Sequence, residues 1–205
     1  MTDDLSSLAG RTQDIYARQA SRFDADRSRR LHERAWLDRF THGLRRGASI
    51  LDLGCGGGEP IAAHLIDSGY AVTGVDACEA LIALARRRRP GADWRVADMR
   101  ALDLAGRFDG VLGWNSVFHL TRDEQRALLP RLCALVNPGG RLMITVGPKD
   151  GEVAGHVGEE RVYHASLAPA EYAAILNHAG LHVIDFVAED PECASQSVLL
   201  AARRD

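Results

Sequence analysis

The sequence predicts an α/β fold in which helices cover both faces of a largely parallel sheet. From residue 49 to residue 146, short apolar strands alternate with amphipathic helices, and this alternation is typical of parallel sheets. A glycine-rich loop follows the first strand, and an acidic residue ends or follows each of the next two. With 205 residues, the chain has the length of one α/β domain that buries a sizeable core.

The composition is that of an ordinary globular protein, with 46% hydrophobic and 26% charged residues. A net charge of -3 argues against a broad surface for nucleic acid or anionic lipid, and no apolar run is long enough to span a bilayer. The four cysteines form no Cys-x-x-Cys pair, and the start at Met1-Thr2-Asp3-Asp4 lacks the features of a signal peptide. We therefore expect a cytoplasmic monomer or homodimer with reduced thiols and no metal, nucleic-acid or membrane partner.

Residues 1–46 precede the first strand, and their pattern predicts a helical cap. Apolar residues from Ile15 to Phe23 recur at helical spacing, and a second helix is expected from Ser28 to Gly43. Such helices could simply cover the sheet, which we expect for most of the segment. They could also form a lid over a pocket, with Tyr16 as its contact residue.

The core elements follow in order from Ser49. The expected strands cover residues 49–53, 70–75, 94–96, 108–113 and 141–146, and the expected helices cover residues 60–68, 78–88 and 122–136. Thr121 and Glu124 have the spacing of a capping box. The arginines at 86–89 fall in a last helical turn, which we interpret as a solvated helix end. Residues 137–140 read Asn-Pro-Gly-Gly and predict a sharp turn into the fifth strand.

The alternation changes after Gly147. Residues 148–158 are polar and contain glycine, so we expect an irregular excursion there. A helix is expected over residues 169–179, followed by strands over 181–187 and 197–202. The short connection between these strands predicts an antiparallel hairpin at the edge of the sheet.

The loop from Gly54 to Gly58 has the pattern Gly-x-Gly-x-Gly. Glycine allows positive φ angles and close approach of a ligand to the backbone, although glycines also serve plain tight turns. Ligands of open parallel sheets bind beyond the carboxyl ends of the strands, where Asp52, Asp76 and Asp98 are expected to collect. Asp76 has the spacing of a ribose-binding carboxylate, whereas Asp98 could bind an adenine amine or cap a turn.

Together these motifs resemble the ordered motif set of class I S-adenosylmethionine-dependent methyltransferases. The resemblance covers residues 48–146 and consists of Ile50-Leu51-Asp52-Leu53-Gly54-Cys55-Gly56-Gly57-Gly58, Val75-Asp76, Ala97-Asp98-Met99, Phe108-Asp109-Gly110-Val111 and Asn137-Pro138-Gly139-Gly140-Arg141-Leu142. It implies a Rossmann-like, seven-stranded, mostly parallel sheet with an antiparallel last strand. It also implies S-adenosylmethionine as the cofactor and S-adenosylhomocysteine as the product.

The resemblance further implies roles for individual residues. The glycines would cradle the methionine part of the cofactor, Asp76 would hold the ribose, Asp98 with Met99 would hold the adenine, and Asp52 would position the methionine amino group. The residues expected to contact the cofactor are Tyr16, Asp52, Gly54, Cys55, Gly56, Gly58, Asp76, Ala77, Asp98, Met99, Trp114 and Asn115.

Methyl transfer from a sulfonium mainly requires alignment of the acceptor and exclusion of water. A general base is needed only where the acceptor loses a proton. His119 is the first candidate, because an ordinary histidine pKa of about 6.5 suits a base at neutral pH; a structural histidine is the alternative. Tyr163 and His164, in the segment after Gly147, are the expected catalytic or acceptor contacts.

We therefore expect one domain over residues 1–205, with a cap (1–46), a cofactor-binding core (47–146) and a substrate-side segment with antiparallel strands (147–205). The expected activity is methyl transfer to a small molecule whose acceptor atom is O, N, S or C. Two alternatives stay open: a non-catalytic protein that binds S-adenosylmethionine, and a nicotinamide-dependent dehydrogenase. The loop pattern, Asp52 and Asp98 speak against the dehydrogenase.

Overall fold

The structure, a computed structural model, describes residues 4–204. The expectation about the start of the chain rests mostly on Met1, Thr2 and Asp3, which lie outside the described residues. The strands are β1 Ser49–Leu53, β2 Ala71–Asp76, β3 Asp93–Val96, β4 Phe108–Gly113, β5 Val136–Val146, β6 Gly151–Val157, β7 Glu160–Ser166, β8 Leu181–Asp190 and β9 Gln196–Arg203. The helices are α1 Leu5–Asp26, α2 Arg34–Thr41, α3 Ile61–Asp67, α4 Glu79–Arg88, α5 Arg122–Ala134 and α6 Pro169–His178.

Seven strands form a mixed sheet in the order β3-β2-β1-β4-β5-β9-β8. Strands β1 to β5 pair with their neighbours in parallel, and β9 runs antiparallel to both β5 and β8. The seven-stranded sheet with an antiparallel last strand is therefore confirmed, as is the hairpin at its edge. The strand order reverses between β1 and β4, which is where such sheets bind ligands.

Both faces of the sheet are covered, because neighbouring residues of the buried strands point to opposite sides. Leu51 packs into a core with α5 and α6, while Ile50 packs into a second core with α2, α3 and α4. The capping box of Thr121 and Glu124 begins α5 as expected. Within residues 4–204, none of the helices combines the length and apolar character needed to cross a membrane.

The N-terminal helices have different roles. Helix α1 lies against α4 and the β6–β7 hairpin, whereas α2 buries Trp36 and Phe40 against the sheet. The expected helix over 28–43 is wrong in its first part, since α2 begins only at Arg34. The backbone of Arg27 is extended, with a φ of -60° and a ψ of 117°, so the chain leaves the helical path there. Its side chain binds the buried carboxylate of Glu33 at 2.5 Å.

Two loop expectations are also corrected. Residues 151–166 form the antiparallel pair β6 and β7 instead of an irregular excursion. Val157 and Val162 of this hairpin bury their side chains against Ile15 of α1, so its stability comes from a partner distant in the sequence. The expected turn at 137–140 lies inside β5, where Gly139 has a φ of 71° and the pairing with β4 shifts register.

The arginine run at 86–89 is not merely a solvated helix end. Arg88 binds Asp24 of α1 through two hydrogen bonds of 2.7 and 2.5 Å and also donates to the carbonyl of Gly57 at 3.0 Å. Arg29 joins the network at Asp24, at 3.1 Å. Arg88 therefore fastens the end of α1 to α4 and to the glycine loop.

Replacing Arg88 with glutamine is expected to loosen α1, because the buried Asp24 then lacks its bidentate partner. We expect a loss of about 1–3 kcal/mol in the free energy of opening α1, measured by hydrogen exchange of its amides. Arg89→Gln is the matched control, since Arg89 pairs with Asp67, which lies on the exposed side of α3. Equal exchange in the two variants would contradict the fastening role of Arg88.

Candidate functional site

The candidate site lies beyond the carboxyl ends of β1, β2 and β4, under α1. It consists of two joined spaces. The strand-end cleft, of about 830 Å³ including the solvent at its mouth, lies beside β2 and is lined by Asp76, Ala77, Leu81 and Met99. The histidine cavity, of about 850 Å³ counted in the same way, extends towards the β6–β7 hairpin. Both are lined by Tyr16, Phe23, Gly54, Asn115 and His119.

Asp76 is held in one orientation at the floor of the strand-end cleft. Its two carboxylate oxygens accept hydrogen bonds from the backbone N–H of Gly56, at 2.9 Å, and of Cys78, at 2.8 Å. Burial raises its pKa, and the two backbone hydrogen bonds oppose that shift. Each oxygen keeps a further acceptor position. The arrangement can therefore accept hydrogen bonds from two neighbouring hydroxyl groups.

The glycines of the loop have different structural roles. Gly54 packs so closely that an added Cβ would lie 2.3 Å from the Cβ of Ser116. Gly56, with a φ of 55°, leaves its surface open to the cleft. Gly58 faces away from both spaces, and an added Cβ there would lie 2.9 Å from the Trp94 ring. Gly54 and Gly56 thus line the site, while Gly58 serves the packing behind it.

Asp98 begins a short 3₁₀ helix and accepts a hydrogen bond from the N–H of Arg100 at 2.9 Å. The Arg100 guanidinium also binds its carboxylate at 2.6 Å. The turn-capping alternative therefore describes the observed contacts, whereas Met99 does line the strand-end cleft. Adenine binding by Asp98 stays a prediction, and it requires the carboxylate to accept one more hydrogen bond.

Asp52, Asn115, Trp114 and Cys55 line the histidine cavity, and Asn115 also lines the strand-end cleft. Burial raises the pKa of Asp52 to about 7, Asp76 adds to the shift and Arg27 opposes it. Asn115 has a φ of 51°, rare for a residue with a side chain, and its buried Oδ1 has no hydrogen-bond partner. Trp114 belongs both to the core and to the cavity wall. A buried acceptor without a donor is what a bound ligand would satisfy.

His119 is held by two hydrogen bonds. Its Nδ1 lies 3.0 Å from the carbonyl oxygen of Tyr163, and its Nε2 lies 2.9 Å from the hydroxyl of Tyr16. Because a carbonyl only accepts, Nδ1 carries the hydrogen, and Nε2 is the acceptor. Burial lowers the pKa of His119 to about 4, and His164 adds to the shift. The ring is therefore neutral at pH 7, with its lone pair directed at Tyr16. The ordinary pKa of about 6.5 that made His119 the first candidate base is not retained in the fold, and the case for a base rests on the position of this lone pair.

This lowered pKa predicts a pH-dependent stability. In the unfolded chain, His119 becomes protonated near pH 6.5. Between pH 6.5 and 4 the unfolded chain therefore binds more protons at His119 than the folded protein does, and this residue makes the protein less stable as the pH decreases. The stability is unaffected by this group above about pH 6.5, and by pH 4 the free energy of unfolding has decreased by about 3 kcal/mol through His119. Asp52, whose pKa is raised, contributes a slope of the opposite sign, so the effect of His119 is measured as the difference between wild type and His119→Gln in urea unfolding at several pH values. That difference should be absent between the wild type and His178→Gln, which changes an exposed residue of α6.

The two residues expected after Gly147 are placed differently. His164 lines the histidine cavity, with its ring 4.7 Å from that of Phe118. The side chain of Tyr163 does not reach either space, because it is buried against Leu8 of α1 and donates to Glu152 at 2.8 Å. The expected acceptor contact by this side chain is therefore corrected: Tyr163 contributes its carbonyl oxygen, which orients His119.

Arg27 is a site residue that sequence reasoning did not single out. Its side chain lines the histidine cavity, where it lowers the pKa of Asp52. Tyr16, Phe23 and Arg27 are seven and four residues apart, the spacing of one helix face, and Arg27 directly follows the last residue of α1. This spacing was the available signal that one face of α1 lies over the site.

Comparison with known proteins identifies the family. A family model described as "Methyltransferase domain" matches residues 50–140. The ubiquinone biosynthesis O-methyltransferase of Xylella fastidiosa (strain M23) is 30% identical over 177 residues, which cover 78% of this chain and 71% of that protein. The chain belongs to the class I methyltransferases. The resemblance stated from the sequence is confirmed, and the dehydrogenase alternative is wrong.

One further relative and one structural neighbour of this methyltransferase differ in how much of the chain they match. The dTDP-3-amino-3,6-dideoxy-alpha-D-glucopyranose N,N-dimethyltransferase of Streptomyces fradiae is 38% identical over 101 residues, 48% of this chain and 39% of that protein. The chain thus matches less than half the length of that relative. The structure of the Burkholderia thailandensis 1,6-didemethyltoxoflavin-N1-methyltransferase, solved with 1,6-didemethyltoxoflavin and S-adenosylhomocysteine, has a TM-score of 0.72 at 24% identity and covers 98% of this chain and 89% of that one. This likeness shows the shared fold.

Proposed function

We propose that this methyltransferase binds S-adenosylmethionine along the strand-end cleft, with the methionine part reaching Asp52 and Arg27 of the histidine cavity, and transfers its methyl group to a small molecule in the rest of that cavity. The observation that carries the proposal is the Asp76 carboxylate, fixed by the amides of Gly56 and Cys78 at the carboxyl end of β2. A carboxylate in this position matches the paired hydroxyls of a ribose. The relatives named above, which methylate small molecules according to their names, support the same class of acceptor.

The two ends of the site suit the two ends of the cofactor. Leu81 and Met99 offer apolar walls to the adenine beside Asp76. Asp52 and Arg27 line the opposite end, and a neighbouring anion and cation match the ammonium and carboxylate of the methionine part. The orphaned Oδ1 of Asn115 lies at this end and can accept a hydrogen bond from the ammonium group.

When bound, S-adenosylmethionine supplies a methyl group that its sulfonium already activates. The protein's own residues have the remaining tasks. Tyr16 and Phe23 on α1 cover the junction of the two spaces and exclude water from it. His119 presents the lone pair of Nε2 at this junction and takes a proton from acceptors that must lose one.

Isothermal titration with S-adenosylhomocysteine tests the cofactor assignment. We expect saturable binding at one site per chain and no binding of NADH under the same conditions. Incubation with methyl-labelled S-adenosylmethionine and a panel of acceptors then tests transfer. A protein that is folded yet binds no S-adenosylhomocysteine would overturn the proposal.

Binding of S-adenosylhomocysteine should also depend on pH through Asp52. The ammonium group of the methionine part requires an ionised carboxylate, and the Asp52 pKa of about 7 means that the ionised fraction decreases below pH 7. We therefore expect affinity to fall by up to about tenfold per pH unit as the pH decreases from 7 to 5. Asp52→Asn should bind more weakly and show a flatter profile, whereas parallel profiles for the two proteins would contradict the role of Asp52.

A further inference from the structure

The histidine cavity has a wall of aromatic rings that come from three separate elements. The Tyr16 ring lies 5.1 Å from the rings of both Phe23 and His119. The rings of Phe118, His119 and His164 contact one another at 4.7–4.8 Å between centroids. All five rings line the cavity. Such a wall favours planar aromatic ligands, which can pack edge-to-face or stack against it, over saturated rings of the same size.

The charged residues that line the cavity argue against a cationic acceptor. Among the described residues that line it, the acidic ones are Asp52 and Glu59. Glu59 is paired with Arg29 at 3.2 Å, and the proposed function assigns Asp52 to the cofactor. Arg27 also lines the cavity, so an ammonium group would find a guanidinium there and no free carboxylate to balance its charge.

The contact between Tyr16 and His119 indicates which group the cavity accepts. The phenol of Tyr16 donates to Nε2 of His119 at 2.9 Å, with the two rings nearly perpendicular at 70°. The lone pair of His119 Nε2 therefore already accepts a hydrogen bond from a phenolic hydroxyl. A phenolic ligand that displaced the Tyr16 hydroxyl would make the same hydrogen bond and the same ring contact.

From these three features we infer that the acceptor is a planar aromatic molecule whose acidic hydroxyl binds Nε2 of His119 in place of the Tyr16 hydroxyl. The inference rests on the proposed function. In the transfer step, the phenolic oxygen forms a bond to the methyl carbon while the carbon–sulfur bond breaks, leaving its electron pair on sulfur. The hydroxyl proton passes to Nε2 and then to water. The products are an aryl methyl ether and the thioether S-adenosylhomocysteine.

A matched pair of probes tests this inference on protein saturated with S-adenosylhomocysteine. The probes are 2-naphthol, which is planar and acidic, and decahydro-2-naphthol, which has the same skeleton without aromatic rings or an acidic hydroxyl. Isothermal titration should show 2-naphthol binding at least about tenfold more tightly. Phe118→Leu should remove most of that preference, whereas Phe186→Leu, on β8 and away from both spaces, should keep it. With S-adenosylmethionine, 2-naphthol should yield 2-methoxynaphthalene.

The outcomes separate the inference from the function on which it rests. Equal affinity for the two probes, tighter binding of the saturated probe, or no binding of 2-naphthol up to its solubility would overturn the aromatic acceptor. So would an unchanged preference in Phe118→Leu. If S-adenosylhomocysteine itself fails to bind, the proposed function is the statement that fails. Formation of the methyl ether, lost in His119→Ala, would support both.

Discussion

Replacing Asp76 with alanine is expected to lower the affinity for S-adenosylhomocysteine by about 10²–10⁴-fold. The variant loses two hydrogen bonds from ribose hydroxyls to an ionised acceptor, each worth about 1.5–3 kcal/mol, and about 1.4 kcal/mol corresponds to a factor of ten. The effect should be this large because the amides of Gly56 and Cys78 fix the carboxylate before the ligand arrives. Isothermal titration of both proteins measures the ratio.

The same amides create the need for a control. Without Asp76 they lose their acceptor, so the variant's thermal stability must be measured beside its affinity. Asp93→Ala is the matched control, because Asp93 pairs with Arg95 on the surface of β3, away from the cleft. We expect Asp93→Ala to bind like the wild type. An Asp76→Ala protein that is folded and binds S-adenosylhomocysteine normally would show that the ribose lies elsewhere.

Replacing His119 with alanine is expected to reduce turnover of acceptors that lose a proton by about 10²–10⁴-fold, the usual contribution of a positioned base. Affinity for S-adenosylhomocysteine should stay within about threefold, because Asp76, Asp52 and the glycine loop are intact. This separation distinguishes a base from a histidine that merely packs in the wall. Single-turnover methyl transfer and isothermal titration provide the two readouts.

A second variant tests the path of the proton. Tyr16→Phe frees Nε2 of His119 from its present donor while keeping the ring contacts with Phe23. It should therefore retain turnover, in contrast to His119→Ala. If the two variants lose activity equally, the proton reaches His119 only through the Tyr16 hydroxyl. Unchanged turnover in His119→Ala would return His119 to a structural role.

Local features of the chain were sufficient for the fold and for the cofactor class. The alternation of strands and helices, and the glycine loop followed by acidic strand ends, depend on residues that are close in sequence. The order of the motifs then predicted the seven-stranded sheet, which the structure confirms. The β6–β7 hairpin was missed because its polar sequence has no apolar alternation of its own and is stabilised by Ile15.

The sequence by itself determined the residues of the proposed cofactor end, since Gly54, Gly56 and Asp76 are positioned by one strand–loop–helix unit and the neighbouring strand. The tertiary structure alone decided the proposed acceptor end. Tyr16 and His119 are 103 residues apart, and Asp24 and Arg88 are 64 apart, so no local pattern reports their contacts. These pairs form only when α1 folds back over the sheet edge, and that packing also lowers the pKa of His119 by removing water.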